Sequence, residues 1–350
     1  ANKFNSSSNY YLFKTPEEIQ EIKDNFVPFV YDSPSNAFIS LTNVWGGEYT
    51  GIDESREGLI LFDTNYTRDM LGYLFDNRGS NFTFPSQLGY NYGNDLFKIG
   101  QTAVLFASTG GSRYSVPEIV NQESVFEFGV MPMPTNEDSP NEQNVIQQGT
   151  NLGIVDTGTD QQKLASWLFI KYLISEQAQL DLALETGYVP VRNSVYETAE
   201  YIQLMSGKDE FQNSLIGQDL MKSHVAKTIY EQKDSFFYEP GFIGSQTVRN
   251  IVGNLFERVM FGDLNGLSKE DFIDINVTNA RILAEEAVYH TTSFDDDNLD
   301  YMFNKAGVFP YKDYYTSYDK LTMYNTVNDL NGVAYDVLWQ SSHPEFISLD

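Results

Sequence analysis

Cysteine is absent from all 350 residues, which excludes disulfides, thiolate metal sites and cysteine nucleophiles. Histidine is nearly as scarce: His224, His290 and His343 are the whole supply and lie far apart. A histidine metal centre or catalytic triad has little to be built from, so neither a metal nor a cofactor is expected. Long apolar runs are missing too. The best candidates, Gly58 to Phe62 and Ala103 to Ala107, are strand-sized and far short of the ~20 residues that span a membrane. Positive charge is sparse, with 22 Lys and Arg against 49 Asp and Glu and a net charge of −27. Such a chain repels phosphate backbones and anionic lipid surfaces, so no nucleic-acid partner is expected. Ala1 to Asn9 lacks the basic-then-apolar pattern of a signal peptide, and any export signal is expected to have been removed or to lie outside this chain.

Enzyme signatures are also lacking. There is no G-x-S-x-G, P-loop or HExxH. Asp263-Leu264-Asn265-Gly266 superficially resembles a calcium loop, but its glycine comes too early for an EF-hand. Asp295-Asp296-Asp297 reads as a solvated acidic run. The many carboxylates would always supply a pair for glycoside hydrolysis, so their number alone says nothing about such an activity.

What the chain does have is aromatic wealth: 25 Phe, 23 Tyr and 3 Trp, or 15% of the residues. Phe fills cores, but Tyr and Trp pair an apolar face with a polar tip, which suits sugar rings. At 41% apolar and 20% charged residues, the composition is that of a globular protein, and the length favours two lobes.

Helix signals recur. Thr15 caps a helix with Pro16 in its first turn and Glu17 and Glu18 near the positive end of its dipole. Helices are predicted over 36–45, 64–76, 248–261 and 269–289. A long one is predicted over 161–186, where Leu164, Trp167, Leu168, Ile174, Ala178 and Leu182 form an apolar stripe ended by Gly187; Trp167 is expected in the core. Short strands are predicted at Val27–Val30, Gly100–Ala107, Phe128–Met133 and Gly153–Val155. Alternating strands and helices imply an α/β protein.

Four stretches carry a resemblance. They are Phe97-Lys98-Ile99-Gly100-Gln101-Thr102-Ala103-Val104 running into Ser108-Thr109-Gly110-Gly111-Ser112; Phe128-Gly129-Val130-Met131-Pro132-Met133-Pro134; Gln148-Gly149-Thr150-Asn151-Leu152-Gly153-Ile154; and Glu185-Thr186-Gly187-Tyr188-Val189-Pro190-Val191-Arg192. In this order and spacing they resemble extracellular solute-binding family 1, the group of maltose-binding and glycerol-phosphate-diester-binding proteins. The last stretch is the most specific. The resemblance implies a periplasmic-binding-protein-like (type II) two-lobed α/β fold with an incomplete N-terminal lobe, because the opening segment of the family pattern has no clear counterpart. It implies the organisation 1–95 as the remainder of the N-lobe, hinge and helical material, 96–198 as the α/β C-lobe, 199–290 as its helical part and 291–350 as an aromatic-rich extension. Phe303 to Gly307 and Asn331 to Tyr335 faintly echo N-lobe phrases.

The implied function is capture of a carbohydrate, a neutral oligosaccharide, for delivery to the membrane subunits of an ABC importer, without catalysis. A monomer is expected, extracellular or periplasmic and lipid-anchored through a segment removed or absent here. The alternatives are a carbohydrate-active hydrolase or a non-transport adhesin or scaffold. Candidate ligand-binding residues are Ser108, Thr109, Gly110 and Gly111; Gly149, Thr150 and Asn151; Tyr188; Trp45; and Asn36. The loop at 108–112 combines hydroxyls with close backbone approach, and it reads otherwise as an ordinary turn. Gly149-Thr150-Asn151 could equally cap a strand, Tyr188 could pack, and Trp45 could be core. The turn Pro240 to Ser245 offers Phe242 where phosphodiester-binding relatives place an arginine, which favours a neutral ligand, although Arg249 is near in sequence.

Overall fold

The computed structural model describes residues 15–292 except 56, 79–80, 122, 139–143 and 150, together with the backbone of 326–328 and 334–336. The elements run α1 (Pro16–Asp24), β1 (Val27–Tyr31), α2 (Pro34–Val44), β2 (Thr50–Ile52), β3 (Gly58–Ile60), α3 (Asn65–Asp76), β4 (Phe82–Thr83), α4 (Gly93–Lys98) and β5 (Thr102–Phe106). Then come β6 (Ile119–Val120), β7 (Glu123–Ser124), β8 (Val145–Ile146), α5 (Asp160–Leu173), α6 (Glu176–Thr186), α7 (Ala199–Met205) and α8 (Gly217–Glu231). The last are β9 (Phe236–Phe237), α9 (Ser245–Phe261), α10 (Lys269–Thr292), β10 (Thr326–Asn328) and β11 (Ala334–Asp336).

The helix starts follow from their caps. The Thr15 hydroxyl accepts from Glu18 N (3.2 Å), and the Glu18 carboxylate accepts from Thr15 N (2.7 Å), a reciprocal box that satisfies two orphan donors. Thr159 and Gln162 repeat it at the start of α5. Ser33 and Thr64 cap α2 and α3 through their hydroxyls.

A parallel three-stranded sheet of order β4-β1-β5 lies at the centre, with Phe29 opposite Phe82 and Tyr31 opposite Phe106. It takes β1 and β4 from before position 95 and β5 from after it, so it bridges the expected 95/96 boundary. The α2, α3, α9 and α10 helices pack around one apolar cluster. Its aromatic centre is edge-to-face, with Phe38 and Phe62 5.7 Å apart and Phe84 and Phe256 5.4 Å apart, the arrangement that ring quadrupoles favour. Each fully buried Phe contributes about 1.5–3 kcal/mol. Smaller clusters gather Leu180, Ala183, Val195, Tyr196, Tyr201 and Ala226, and Met221, Val225 and Ile229 on α8.

Three expectations are corrected. The helix over 161–186 is two: Ser175 accepts from Ala178 N (3.3 Å) and starts α6 afresh, so a new N-cap interrupts a continuous apolar period. The segments at Phe128–Met133 and Gly153–Val155 are not strands, because neither has a ladder partner among the described residues. Trp167 is not core. It is 49% exposed, and no residue of α5 is buried. Leu164, Leu168 and Tyr172 are exposed with it. Of the extension 291–350, α10 reaches Thr292 and β10 pairs antiparallel with β11, Val327 opposite Tyr335; Phe303 to Gly307 and the aromatic residues Tyr311 to Tyr324 lie outside the described residues. No described helix is long and apolar enough to cross a membrane.

Candidate functional site

Parallel strands leave their carboxyl ends at one edge of the sheet, where open α/β sheets place ligands. Here β1 ends at Tyr31 beside Phe106 of β5, and Asp32 N donates to Phe106 O (3.1 Å). The chain past β1 therefore emerges next to the chain past β5. The first delivers Asp32, the cap Ser33 and Asn36 in the opening turn of α2. The second delivers Ser108 and a short 3₁₀ turn over Thr109–Tyr114.

That turn meets Tyr188. A Cβ built on Gly110 would lie 2.8 Å from Cζ and 2.9 Å from the hydroxyl oxygen of Tyr188, so the ring rests against bare backbone that only glycine provides. Tyr188 stays 52% exposed. It is aimed by the end of α6, where Gly187 adopts a left-handed φ of 78° and Tyr188 N donates to Thr186 Oγ1 (3.1 Å). The turn is braced internally: Ser112 Oγ donates to Thr109 O (2.7 Å), and Gly111 N donates to Ser108 O (3.1 Å). Ser108 is exposed.

Polar groups just past the end of β1 have capacity to spare. Asn36 Oδ1 is buried and has no hydrogen-bond partner among the described residues, a costly state unless something donates to it. Asp32 accepts a short hydrogen bond from Gly93 N. Burial raises the Asp32 pKa above the ordinary carboxylate range, against the lowering effect of that hydrogen bond.

The remaining candidates make no contact with this group among the described residues. Gly149 and Asn151 are exposed, with nothing within 4 Å of a Cβ built on Gly149; Thr150 lies outside the described residues. Trp45 closes the far end of α2, roughly 16 Å along the helix from its start. It packs against the main core, with its ring 5.6 Å from that of Tyr73. Sequence reasoning stopped the loop at Ser112 and so missed Arg113 and Tyr114, which finish the same turn. Arg113 Nη2 donates to the Tyr114 hydroxyl (2.7 Å), and its guanidinium lies 4.8 Å from that ring. An Arg-Tyr pair straight after a Ser/Gly run is the signal that could have found them.

Arg249 donates to the Glu239 carboxylate, and both side chains are mostly buried. Phe242, in the turn between them, covers Gly58, where a Cβ would lie 2.3 Å from its ring. Among the described residues no group of three or more His, Cys, Asp and Glu is placed to hold a metal ion.

A family model described as bacterial extracellular solute-binding protein matches residues 18–205, more than half of the chain. No curated protein matches. Among solved structures, UgpB from Mycobacterium tuberculosis, in complex with glycerophosphocholine, superposes with a TM-score of 0.54 at 15% identity, over 78% of this chain and 59% of that one. The maltose/maltodextrin-binding domain MalE from Bdellovibrio bacteriovorus, bound to maltotriose, gives 0.49 at 16% identity, over 81% and 69%. The cyclic alpha-maltosyl-1,6-maltose binding protein from Arthrobacter globiformis gives 0.49 at 18%, over 74% and 60%. The chain thus spans about three fifths of the length of the UgpB structure. With the fold of the type II periplasmic binding proteins and a family match across most of its central sheet and first helices, this chain belongs to the bacterial extracellular solute-binding proteins.

Proposed function

We propose that this chain is the ligand-capturing part of an extracytoplasmic solute-binding protein, that its ligand is a neutral oligosaccharide, and that it delivers this ligand to an ABC importer without altering it. The observation that carries the reading is the Tyr188 ring seated on Gly110 at the carboxyl edge of the sheet. A half-exposed aromatic face stacks on the C–H face of a sugar. The hydroxyls of Ser108 and Thr109, the carboxylate of Asp32 and the unpartnered Asn36 Oδ1 can meet hydroxyl groups. A single ring with several short polar groups beside it matches the usual make-up of small-molecule sites.

Neutrality is supported by charge. Arg249, the cation nearest in sequence to the Pro240–Ser245 turn, is neutralised by Glu239. With a net charge of −27, the field around the protein disfavours the approach of anions. UgpB was solved with glycerophosphocholine, and that compound is therefore the contrasting test ligand. The chain is further proposed to be monomeric and to derive from a lipid-anchored protein.

The test is a thermal-shift screen with maltooligosaccharides, other neutral saccharides and glycerophosphocholine, followed by calorimetry and product analysis on any hit. A neutral saccharide should raise the melting temperature and be recovered intact. Recovery of shortened sugar would make the protein a hydrolase, a response to glycerophosphocholine alone would reverse the ligand class, and no response to any compound would favour a scaffold.

A further inference from the structure

The largest unexplained feature is α5, none of whose residues is buried. Leu164, Trp167, Leu168 and Tyr172 share one face at helical spacing, and all are about half or more exposed. The segment before the helix continues the surface: Leu152 and Val155 are exposed, and residues 151–155 make no backbone hydrogen bond among the described residues. Asp156 pairs with Lys163, fixing the end of that segment to the first turns of α5. A stretch of open N–H and C=O groups, next to an uncovered apolar helix face, has what half of a helix-on-sheet layer needs. Contiguous apolar faces are rare on monomeric soluble proteins and mark interaction sites.

The other half is in the same chain. Strands β10 and β11 form an antiparallel pair with no third strand among the described residues. A two-stranded hairpin alone is marginal in water and needs another strand or a helix to pack on. Residues 293–325 separate it from α10. A linker of that length reaches roughly 110 Å when extended, so reach does not limit where the hairpin sits. The flanking sequence is rich in aromatic residues, from Tyr311 to Trp339, as material that covers an apolar face must be.

We propose that the β10–β11 hairpin docks intramolecularly on this surface, adding a strand edge to residues 151–155 and covering the Leu164–Tyr172 face of α5. One segment then supplies both the missing ladder partner and the missing apolar cover. The proposal does not depend on the ligand.

Because the chain contains no cysteine, the pair Leu168→Cys and Val327→Cys can be introduced alone and joined with a short bismaleimide in dilute full-length protein. Expected is a cross-link at monomer mass joining the two peptides, with none in either single variant. Hydrogen exchange gives an independent reading. Residues 151–155 should be protected in the unaltered chain, and Leu168→Asp should speed exchange both there and over 326–336. If Leu168→Asp does not fold, Trp167→Ala serves the same comparison. A cross-link found only at dimer mass would assign the surface to a second copy and overturn the proposal. No cross-link, with residues 151–155 exchanging at the open rate, would overturn it equally and leave the face to another polypeptide.

Discussion

Tyr188 and Gly110 make a pair whose two halves can be tested separately. Tyr188→Ala removes the platform and should weaken saccharide binding by about 1–3 kcal/mol, which is roughly ten- to a hundredfold in Kd. Tyr188→Phe keeps the ring and should cost less. Gly110→Ala leaves Tyr188 in place chemically, yet its new methyl would stand 2.8 Å from Cζ, so the ring must swing away and affinity should fall toward the Tyr188→Ala value. Titration calorimetry on the three variants decides it. Equal affinities throughout would make Tyr188 a packing residue.

Asp32 gives a pH signature at the same scale. Its folded-state pKa is raised, chiefly by burial, so the native state holds this proton more tightly than the unfolded chain does. The associated stability is fully present below the ordinary aspartate pKa and is lost as pH rises through the shifted value. Asp32→Asn preserves an acceptor for Gly93 N and has no charge to bury. It should flatten that segment of the stability-pH curve and leave the variant at least as stable at neutral pH, measured by urea denaturation from pH 3 to about 7. A variant curve parallel to the original would assign the slope to other carboxylates, of which Glu239, also raised by burial, is the first to examine.

At the scale of elements, the end of α6 carries more than helix termination. Gly187 holds φ at 78°, and a Cβ there would come within 3.1 Å of Lys222 Cγ, a flexible neighbour that can yield. The left-handed backbone cannot yield, so Gly187→Ala should cost about 1–2 kcal/mol of stability. It should also weaken ligand binding, because the next residue is the platform. A loss of stability with unchanged affinity would separate helix ending from site building.

Elements also show what a sequence reveals and what it withholds. Thr15-Pro16-Glu17-Glu18 announced α1 because a capping box is local chemistry, complete within four residues. The T-G-Y-V-P-V-R stretch pointed to Tyr188 for a similar reason: the left-handed glycine and the ring it turns out are neighbours. The two misread strands were legible in composition only. Whether Gly153–Val155 becomes a strand depends on a partner from elsewhere, and no local period contains that information. The break at Ser175 hid because the apolar stripe keeps its phase across it. Trp167 was misjudged because periodicity says which residues share a face and nothing about what that face meets. Asn36 and Trp45, on one helix, had equal standing in the sequence; only the strand order shows one near the carboxyl edge of the sheet and the other a helix length away.

For the whole molecule, electrostatics sets two effects against each other. Several of the few cations are tied up between α3 and α10: Arg68 and Arg281 both reach Asp63, at 2.7 and 2.8 Å, and Lys269 reaches Asp76 at 2.9 Å. Salt weakens such pairs, but partly exposed pairs are each worth at most about 1 kcal/mol. The self-repulsion of a net −27 acts on the entire surface. At 0.1 M salt the screening length falls to about 10 Å, short enough to damp it. Repulsion should therefore dominate, and the melting temperature should rise as sodium chloride is raised from millimolar to physiological levels. A fall would mean that the α3–α10 pairs matter more than their exposure suggests.

The core closes late along the chain. Phe38 of α2 packs on Phe256 of α9, and Arg281 donates to Asp63 across 218 positions. The first helices and strands have little to pack on until α9 and α10 exist. Contacts of such long sequence separation slow folding, since the entropy of closing the intervening loop is lost before any contact rewards it. For a chain of an extracellular family this delay has a use. A polypeptide whose central cluster cannot assemble until its last helices are made stays threadable while it is being synthesised, and it can cross a membrane as an unfolded strand. The placement of α9 and α10 against α2 and α3 thus delays closure of the main core until residues 245–292 are available.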